Sequence, residues 1–258
     1  VQARTGRVVQ IGAQGTSSAL RWEANKLIRE GALGKLLWSQ GGYCRNSRDG
    51  EWNWWIDPAA NPQNLDWERF LGPAPKRPFD PERFFRFRKY WDYSGGVATD
   101  LFYHSLAELE TALGPEFPRR VSASGGIYIF PDREVPDTFE MMIDYPSEHT
   151  VVLISSMGNR QGVPELIRGH EATLSYEGGQ VVVRPEEEFK SERPEVRVGG
   201  ERRQGHKENW LECIRTGGTL HCDALKGYKI MVAIALGVEA YRQQKTMLFD
   251  PEKEEVIG

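Results

Sequence analysis

The sequence predicts the trailing strand–helix unit of an α/β domain followed by an α+β domain, whose large, mostly antiparallel sheet carries helices on one face. Three observations predict it. Near the start, an apolar β-branched run stops at glycine and is followed by helical spacing and a second strand. Between residues 120 and 185 the apolar pattern shortens to strand-length runs separated by Pro, Gly and Asp turns. After residue 206 the helical period returns.

The first run, Arg7-Val-Val-Gln-Ile-Gly12, reads as a buried parallel strand. Ser17 or Ser18 can cap the helix after it, in which Leu20, Ala24, Leu27 and Ile28 share one face, and Gly31 and Gly34 end it. Lys35 to Tyr43 is the second strand. One strand–helix–strand unit cannot bury both faces of its sheet, so the chain reads as starting inside a domain that continues upstream of Val1. Residues 44–93 show little periodicity and are rich in Trp, Pro, Asn and Arg; a long irregular stretch in a compact domain is usually functional. A helix is predicted over Val97–Leu113, stopped by Gly114-Pro115. Strands follow near 120–130, 137–145, 149–157, 166–176 and 180–185, then an exposed polar loop over 186–204. Helices over 206–216 and 223–243, and a last strand at Met247-Leu-Phe249, complete the chain.

The 258 residues carry a net charge of −4 with acids and bases interspersed, which argues against a nucleic-acid partner. The most basic stretch, Arg83 to Lys89, is interleaved with Phe84, Phe85 and Phe87 and reads as a strand or an aromatic-lined wall. No run of 18 apolar residues exists to span a membrane. No signal peptide is visible at Val1; the cytoplasm is the default expectation, and export stays open because a signal would sit upstream. Cys44, Cys213 and Cys222 are odd in number and lack CxxC spacing, so they read as inert thiols rather than disulfide partners or zinc ligands.

The sequence holds neither a Gly-x-Gly-x-x-Gly nor a P-loop, and its glycine pairs lack phosphate-cradling spacing. The sharpest constellation is Gly95-Gly-Val-Ala-Thr-Asp100-Leu-Phe-Tyr-His104. Asp100 and His104 stand i, i+4 on one helix face, and a helix N-terminus favours an ionised carboxylate. An ionised Asp beside His104 would strengthen and orient the imidazole as a base for a substrate hydroxyl proton. The alternative is a capping Asp with a packed His. A metal pair lacks further ligands at recognisable spacing.

These segments resemble the glucose–fructose oxidoreductase / inositol dehydrogenase / MocA (Gfo/Idh/MocA) family over essentially the whole chain. Arg7 to Gln14 is similar to the last Rossmann strand of its members, and Ala24 to Lys35 to the helix leading into their second domain. Leu65-Asp-Trp-Glu-Arg-Phe-Leu-Gly-Pro-Ala-Pro75, Val135-Pro-Asp-Thr138 and His206-Lys-Glu-Asn-Trp-Leu-Glu-Cys213 also look like family segments. Gly95 to His104 matches the family's Gly-Gly-xxx-Asp-xxx-His helix, which implies Asp100 and His104 as the catalytic pair. The resemblance implies that 1–34 is the end of a dinucleotide-binding domain and 35–258 an α+β substrate-binding and oligomerisation domain. It implies NAD or NADP as cofactor, hydride transfer at a sugar, inositol or related polyol, and a homo-oligomer formed through the open sheet face. The family's Gly-rich loop and Glu-Lys-Pro motif would lie before Val1, so the chain reads as a fragment without the main cofactor site, Gln14 being its one candidate cofactor contact. Gly15 departs from the family, which often has arginine there.

Tyr43, Arg45, Trp54, Arg86, Tyr90, Trp91 and Tyr93 are candidate substrate contacts, since sugar sites set aromatic faces against C–H surfaces and charged groups against hydroxyls; surface packing is the alternative for each. His206 and Asn209 read as a helix-cap or surface pair. The competing functions are an NAD-dependent glycosidase of the same family, which would show no net redox, and a cofactor-free binding or oligomerisation module.

Overall fold

The computed structural model describes residues 2–257; Val1 and Gly258 lie outside the described residues. A short helix α1 (Gln2–Thr5) is followed by a run that makes only one isolated bridge, Gln10 to Asp223. The strand predicted over Arg7–Gly12 is therefore not formed. A strand needs a neighbour along its length, and this run instead meets the turn at Cys222, whose carbonyl accepts the Ile11 N–H at 2.9 Å, and the His206 ring, 2.9 Å from the Ile11 carbonyl. After a single 3-10 turn, Gln14–Ser17, comes α2 (Ala19–Arg29). Ser18 occupies its N-cap position but makes no capping bond with its side chain, and Ser17 is turned toward His206 instead.

The segment β1 (Leu36–Gly42) enters the large sheet directly. Residues 44–93 are irregular, as predicted, apart from α3 (Trp67–Leu71), α4 (Pro81–Phe85) and a 3-10 turn at Phe87–Lys89. Asp66 and Asp80 cap the two helices, accepting the N–H of Arg69 and those of Glu82 and Arg83. Arg83 to Lys89 is thus a helix and a turn rather than a strand. The predicted helix after Gly95-Gly96 opens with a π-helical turn, Ala98–Phe102, before α5 (Tyr103–Leu113).

The strands β2 (Arg120–Gly126), β3 (Thr138–Asp144), β4 (Thr150–Ser156), β5 (Leu166–Gly169), β6 (Ala172–Glu177) and β7 (Gln180–Pro185) follow. The run expected at 120–130 stops at Gly126, because the N–H groups of residues 128–130 are drawn to the Asp137 carboxylate. The run at 166–176 divides at His170, whose N–H is donated back to Lys35. The loop expected at 186–204 contains β8 (Val196–Val198). Helices α6 (His206–Thr216) and α7 (Ala224–Gln243) and strands β9 (Met247–Asp250) and β10 (Glu255–Ile257) close the chain.

Among the described residues, ten strands form one open sheet, in the order β10-β9-β2-β3-β4-β1-β5-β6-β7-β8, in which only β1 and β4 pair in parallel. One row across it reads Met247, Val121, Ile143, Val151, Ser39, Ile167, Leu174 and Val183, all buried. The adjacent row reads Leu248, Arg120, Asp144, Thr150, Trp38, Arg168, Thr173 and Arg184. Successive strand residues point to opposite faces, so the first row faces the helices and the second is open. Leu109 of α5 reaches the first face beside Gly41, and Gly237 of α7 lies against Met141. Arg21 ties α2 to both neighbours: its guanidinium pairs with Glu108 at 2.6 Å and with Glu165, and lies 3.9 Å over the Tyr176 ring.

Candidate active site

The parallel pair is what builds a site. The carboxyl ends of β1 and β4 leave the sheet at the same edge, and open sheets offer ligand crevices outside the carboxyl ends of parallel strands. The two chains stay paired beyond the strands: Tyr43 N–H donates to Ile154 O at 3.1 Å and Arg45 N–H to Ser156 O at 2.9 Å. The antiparallel neighbours β3 and β5 begin at that edge, and β2 ends there, so the loops 43–93, 127–137 and 157–165 gather around it.

Helix α5 starts at the same place, with Ser105 Oγ 3.5 Å from Gly42 O. Its opening is tightly specified. Gly96 has φ +62°, and a Cβ there would lie 2.8 Å from Val135, so glycine is required by conformation and by space. The π turn that follows is a wide, rare geometry found often at functional sites. A wider turn keeps i and i+4 on one face, so Asp100 and His104 still point to one side. His104 is exposed, not enclosed in the core. Asp100 has a different partner from the expected one: Arg88 Nε donates to its carboxylate at 2.7 Å. The guanidinium holds the carboxylate in place, one turn before the imidazole.

The candidate substrate contacts fall into separate groups. Tyr43 and Arg45 form one: the Arg45 guanidinium lies 4.5 Å over the Tyr43 ring, donates to its hydroxyl at 2.7 Å, and pairs with Glu51 at 3.1 Å. Trp54, Arg86 and Tyr90 form another. Arg86 donates to the Trp54 carbonyl at 2.9 Å and to Glu82 at 2.8 Å, and Arg83 lies 4.1 Å over the Tyr90 ring. Burial, with Glu82 and Asp80 nearby, pushes the Tyr90 hydroxyl up to about 12, so it stays protonated as a donor. Tyr93 packs on Phe70, with ring centroids 5.1 Å apart. Trp91 stands apart. It lines a cavity of about 650 Å³ with Ser124, Glu134, Tyr241 and Arg242, at β2. In the sheet β2 is three strand spacings from β1, or about 14 Å. Gln14 is exposed in the 3-10 turn, beside the N-terminus of α6. Gly15 lies against Glu108, already paired with Arg21, so that position has no room for the family's arginine without displacing Glu108.

Sequence reasoning missed the residue that joins these groups. Lys89 is 1% exposed, and its ammonium donates to Glu82 at 2.9 Å, Asp132 at 2.7 Å and Asn53 at 2.9 Å. Asp132 in turn meets the buried Arg133, which donates to Glu51 O at 3.2 Å. A continuous polar chain thus runs from Arg45 through Arg133 and Lys89 to Arg86. Arg88 was missed as well, because only the fold brings it to Asp100. Asp137 was noted only as part of a family segment; it is fully buried, accepting three backbone N–H groups that shape the 127–130 loop. His206, read as a cap or surface residue, bonds Ser17 Oγ at 2.8 Å, and Asn209 is buried against the Thr219 carbonyl.

Residues 23–258 match the Gfo/Idh/MocA family model described as "Oxidoreductase family, C-terminal alpha/beta domain". The fold is similar to that of aldose-aldose oxidoreductase from Caulobacter crescentus solved with glycerol (TM-score 0.66, 20% identity, 96% of this chain and 65% of that one). It is also similar to a putative oxidoreductase from Thermotoga maritima (0.68, 15%, 96% and 65%). A third is an oxidoreductase from Agrobacterium radiobacter in complex with NAD+, L-tartaric acid and magnesium (0.62, 11%, 95% and 66%). The chain therefore spans about two thirds of the length of these structures. Comparison with curated proteins gives no match. With a family model covering nearly all of its length and the ten-stranded sheet in place, the chain belongs to the Gfo/Idh/MocA family of oxidoreductases.

Proposed function

We propose that this chain is the substrate-binding part of an NAD(P)-dependent oxidoreductase acting on a sugar, inositol or related polyol. The observation that carries the reading is the exposed imidazole of His104 beside the parallel strand ends, one turn from a carboxylate fixed by Arg88. An exposed imidazole on a rigid helix can take a hydroxyl proton from a bound alcohol, or return it to a carbonyl oxygen. Tyr43 and Arg45 supply a ring face and a guanidinium at the neighbouring strand end, which suits a polyhydroxylated substrate. Two structural relatives were solved with such compounds, glycerol and L-tartaric acid, which supports the same substrate class.

The residues present do not fit a dinucleotide. No Gly-x-Gly-x-x-Gly occurs, and the glycine pairs sit elsewhere in the fold: Gly41-Gly42 and Gly125-Gly126 in strands, Gly178-Gly179 in a hairpin turn, Gly95-Gly96 at a helix opening, Gly217-Gly218 at the end of α6 and Gly199-Gly200 after β8. In this reading residues 1–34 are the end of a separate dinucleotide-binding domain, and 35–258 supply substrate orientation and the proton. The 258-residue chain should accordingly bind NADH with a dissociation constant weaker than about 10 μM in calorimetric titration.

His104→Ala, made in the chain joined to its dinucleotide-binding domain, tests the reading. Turnover should fall by about 10²–10⁴-fold, the usual contribution of a general base, with NAD(P)H affinity and melting temperature unchanged. Undiminished turnover would remove His104 from the chemistry.

A further inference from the structure

A second cavity lies in the helix layer, at the opposite end of α5 from His104. From residue 104 to residue 113 the helix climbs about 14 Å. The cavity measures about 410 Å³ and opens between α2, the C-terminal end of α5 and the first turns of α7. That volume is in the range of small-molecule sites.

Its walls combine two chemistries. Trp22, Leu113 and Leu220 give it an apolar lining. Arg29, Lys226 and Lys229 surround that lining with three cations. The Lys226 ammonium donates to Thr111 Oγ1 at 2.7 Å and to His221 O at 3.4 Å, leaving one of its three protons, and it stands 5.7 Å from the centre of the Trp22 ring. Lys229 reaches Pro115 O at 3.0 Å. The cavity's carboxylates cancel this charge only in part. Asp223, which caps α7 by accepting the Lys226 N–H at 2.8 Å, offsets one of the three cations and leaves the other two. Glu110 is 2% exposed, and burial pushes its carboxyl up to about 8, so near neutral pH it is mostly uncharged.

Glu110 supplies the second, independent observation. Glu110 lines this cavity, and its Oε2 is buried and has no hydrogen-bond partner. An unmet buried polar atom costs about 1–3 kcal/mol, and buried polar groups are almost always satisfied. A ligand hydroxyl would meet it, donating to or accepting from the carboxyl.

We propose that this cavity is a binding site for a small aromatic carboxylate bearing a hydroxyl group. The ring would lie among Trp22 and the leucines, the carboxylate among the three cations, and the hydroxyl at Glu110 Oε2. The site does not depend on the proposed redox function, because its residues share nothing with His104 except the helix between them.

The test uses the 258-residue chain labelled with 5-fluorotryptophan, its Trp22 resonance assigned by Trp22→Phe. In fluorine NMR titrations, 4-hydroxybenzoate should shift the Trp22 resonance saturably with a dissociation constant of about 1 mM or tighter. The uncharged 4-hydroxybenzyl alcohol should bind at least about tenfold more weakly. Lys229→Glu, at a half-exposed position, should weaken the carboxylate about tenfold and leave the alcohol unchanged. Leu220→Trp should fill the cavity and abolish both responses; if that variant does not fold, Lys229→Glu decides. No saturable shift overturns the site. Equal binding of the two probes, or a carboxylate affinity unaltered by Lys229→Glu, overturns the anion assignment.

Discussion

Glu110 shows how a single side chain can set pH behaviour. In the unfolded chain its carboxyl ionises near pH 4.5; in the fold, burial raises it to about 8. The folded state therefore holds a proton that the unfolded state releases as pH rises. This residue's contribution to stability is present below about pH 4.5 and is lost progressively up to about pH 8. Glu110→Gln keeps the shape and removes the titration. Relative to the parent, the variant should gain on the order of 3–4 kcal/mol between pH 5 and pH 8, read from urea midpoints at the two values. A constant difference across that range would show that Glu110 is ionised in the fold. Asp100 and His104 contrast with it. Their spacing was legible because a helix repeats every 3.6 residues, but the partner of Asp100 was not. Arg88 lies 12 residues earlier, in a stretch without periodicity.

The 44–93 segment is the element on which the candidate substrate contacts rest, and it has little regular structure to hold it. Its anchor is the buried Lys89 ammonium among Glu82, Asp132 and Asn53. Removing one member of a buried ion cluster leaves the others uncompensated, at a cost of about 3–5 kcal/mol for fully buried pairs. Because Asp132 and Glu82 are partly exposed, Lys89→Met should cost less, about 2 kcal/mol, and should loosen this segment first. Limited proteolysis should then cut within residues 44–93 while the sheet survives; unchanged protection would show that aromatic packing alone holds it. The sequence marked this segment as functional by its aromatic content and lack of period. It misread Arg83–Lys89, because alternating Phe and basic residues look like a strand when the caps at Asp80 and the burial of Lys89 are unseen.

At the scale of the molecule, the sheet presents one face to α2, α5 and α7 and leaves the other open. The open face carries Met142, Leu248 and Trp38 at 51%, 43% and 38% exposure, among Arg120, Arg168 and Arg184. In keeping with the reading of the chain as part of an oligomer, we propose that this face packs against a second copy. Sedimentation at micromolar concentration should show a dimer or larger assembly, and Trp38→Glu combined with Met142→Lys should shift it to monomer. A monomeric parent chain would exclude that interface and leave the fold untouched.

The sequence by itself determined most of the helices and strands from residue 97 onward, because alternation and helical spacing are local records of which face is buried; it missed β8 and β10 and the break at His170. It also determined the Asp100–His104 spacing and the likeness to an oxidoreductase family. Tertiary structure decided the rest. The run Arg7–Gly12 has strand-forming residues, but a strand exists only where a neighbour supplies hydrogen bonds, and none lies along it among the described residues. Only the sheet order set β1 and β4 side by side in parallel, and so brought the loops, the π turn and His104 to a single edge. Lys89 and Glu110 took their roles from burial, which depends on contacts distant in sequence and leaves no local pattern.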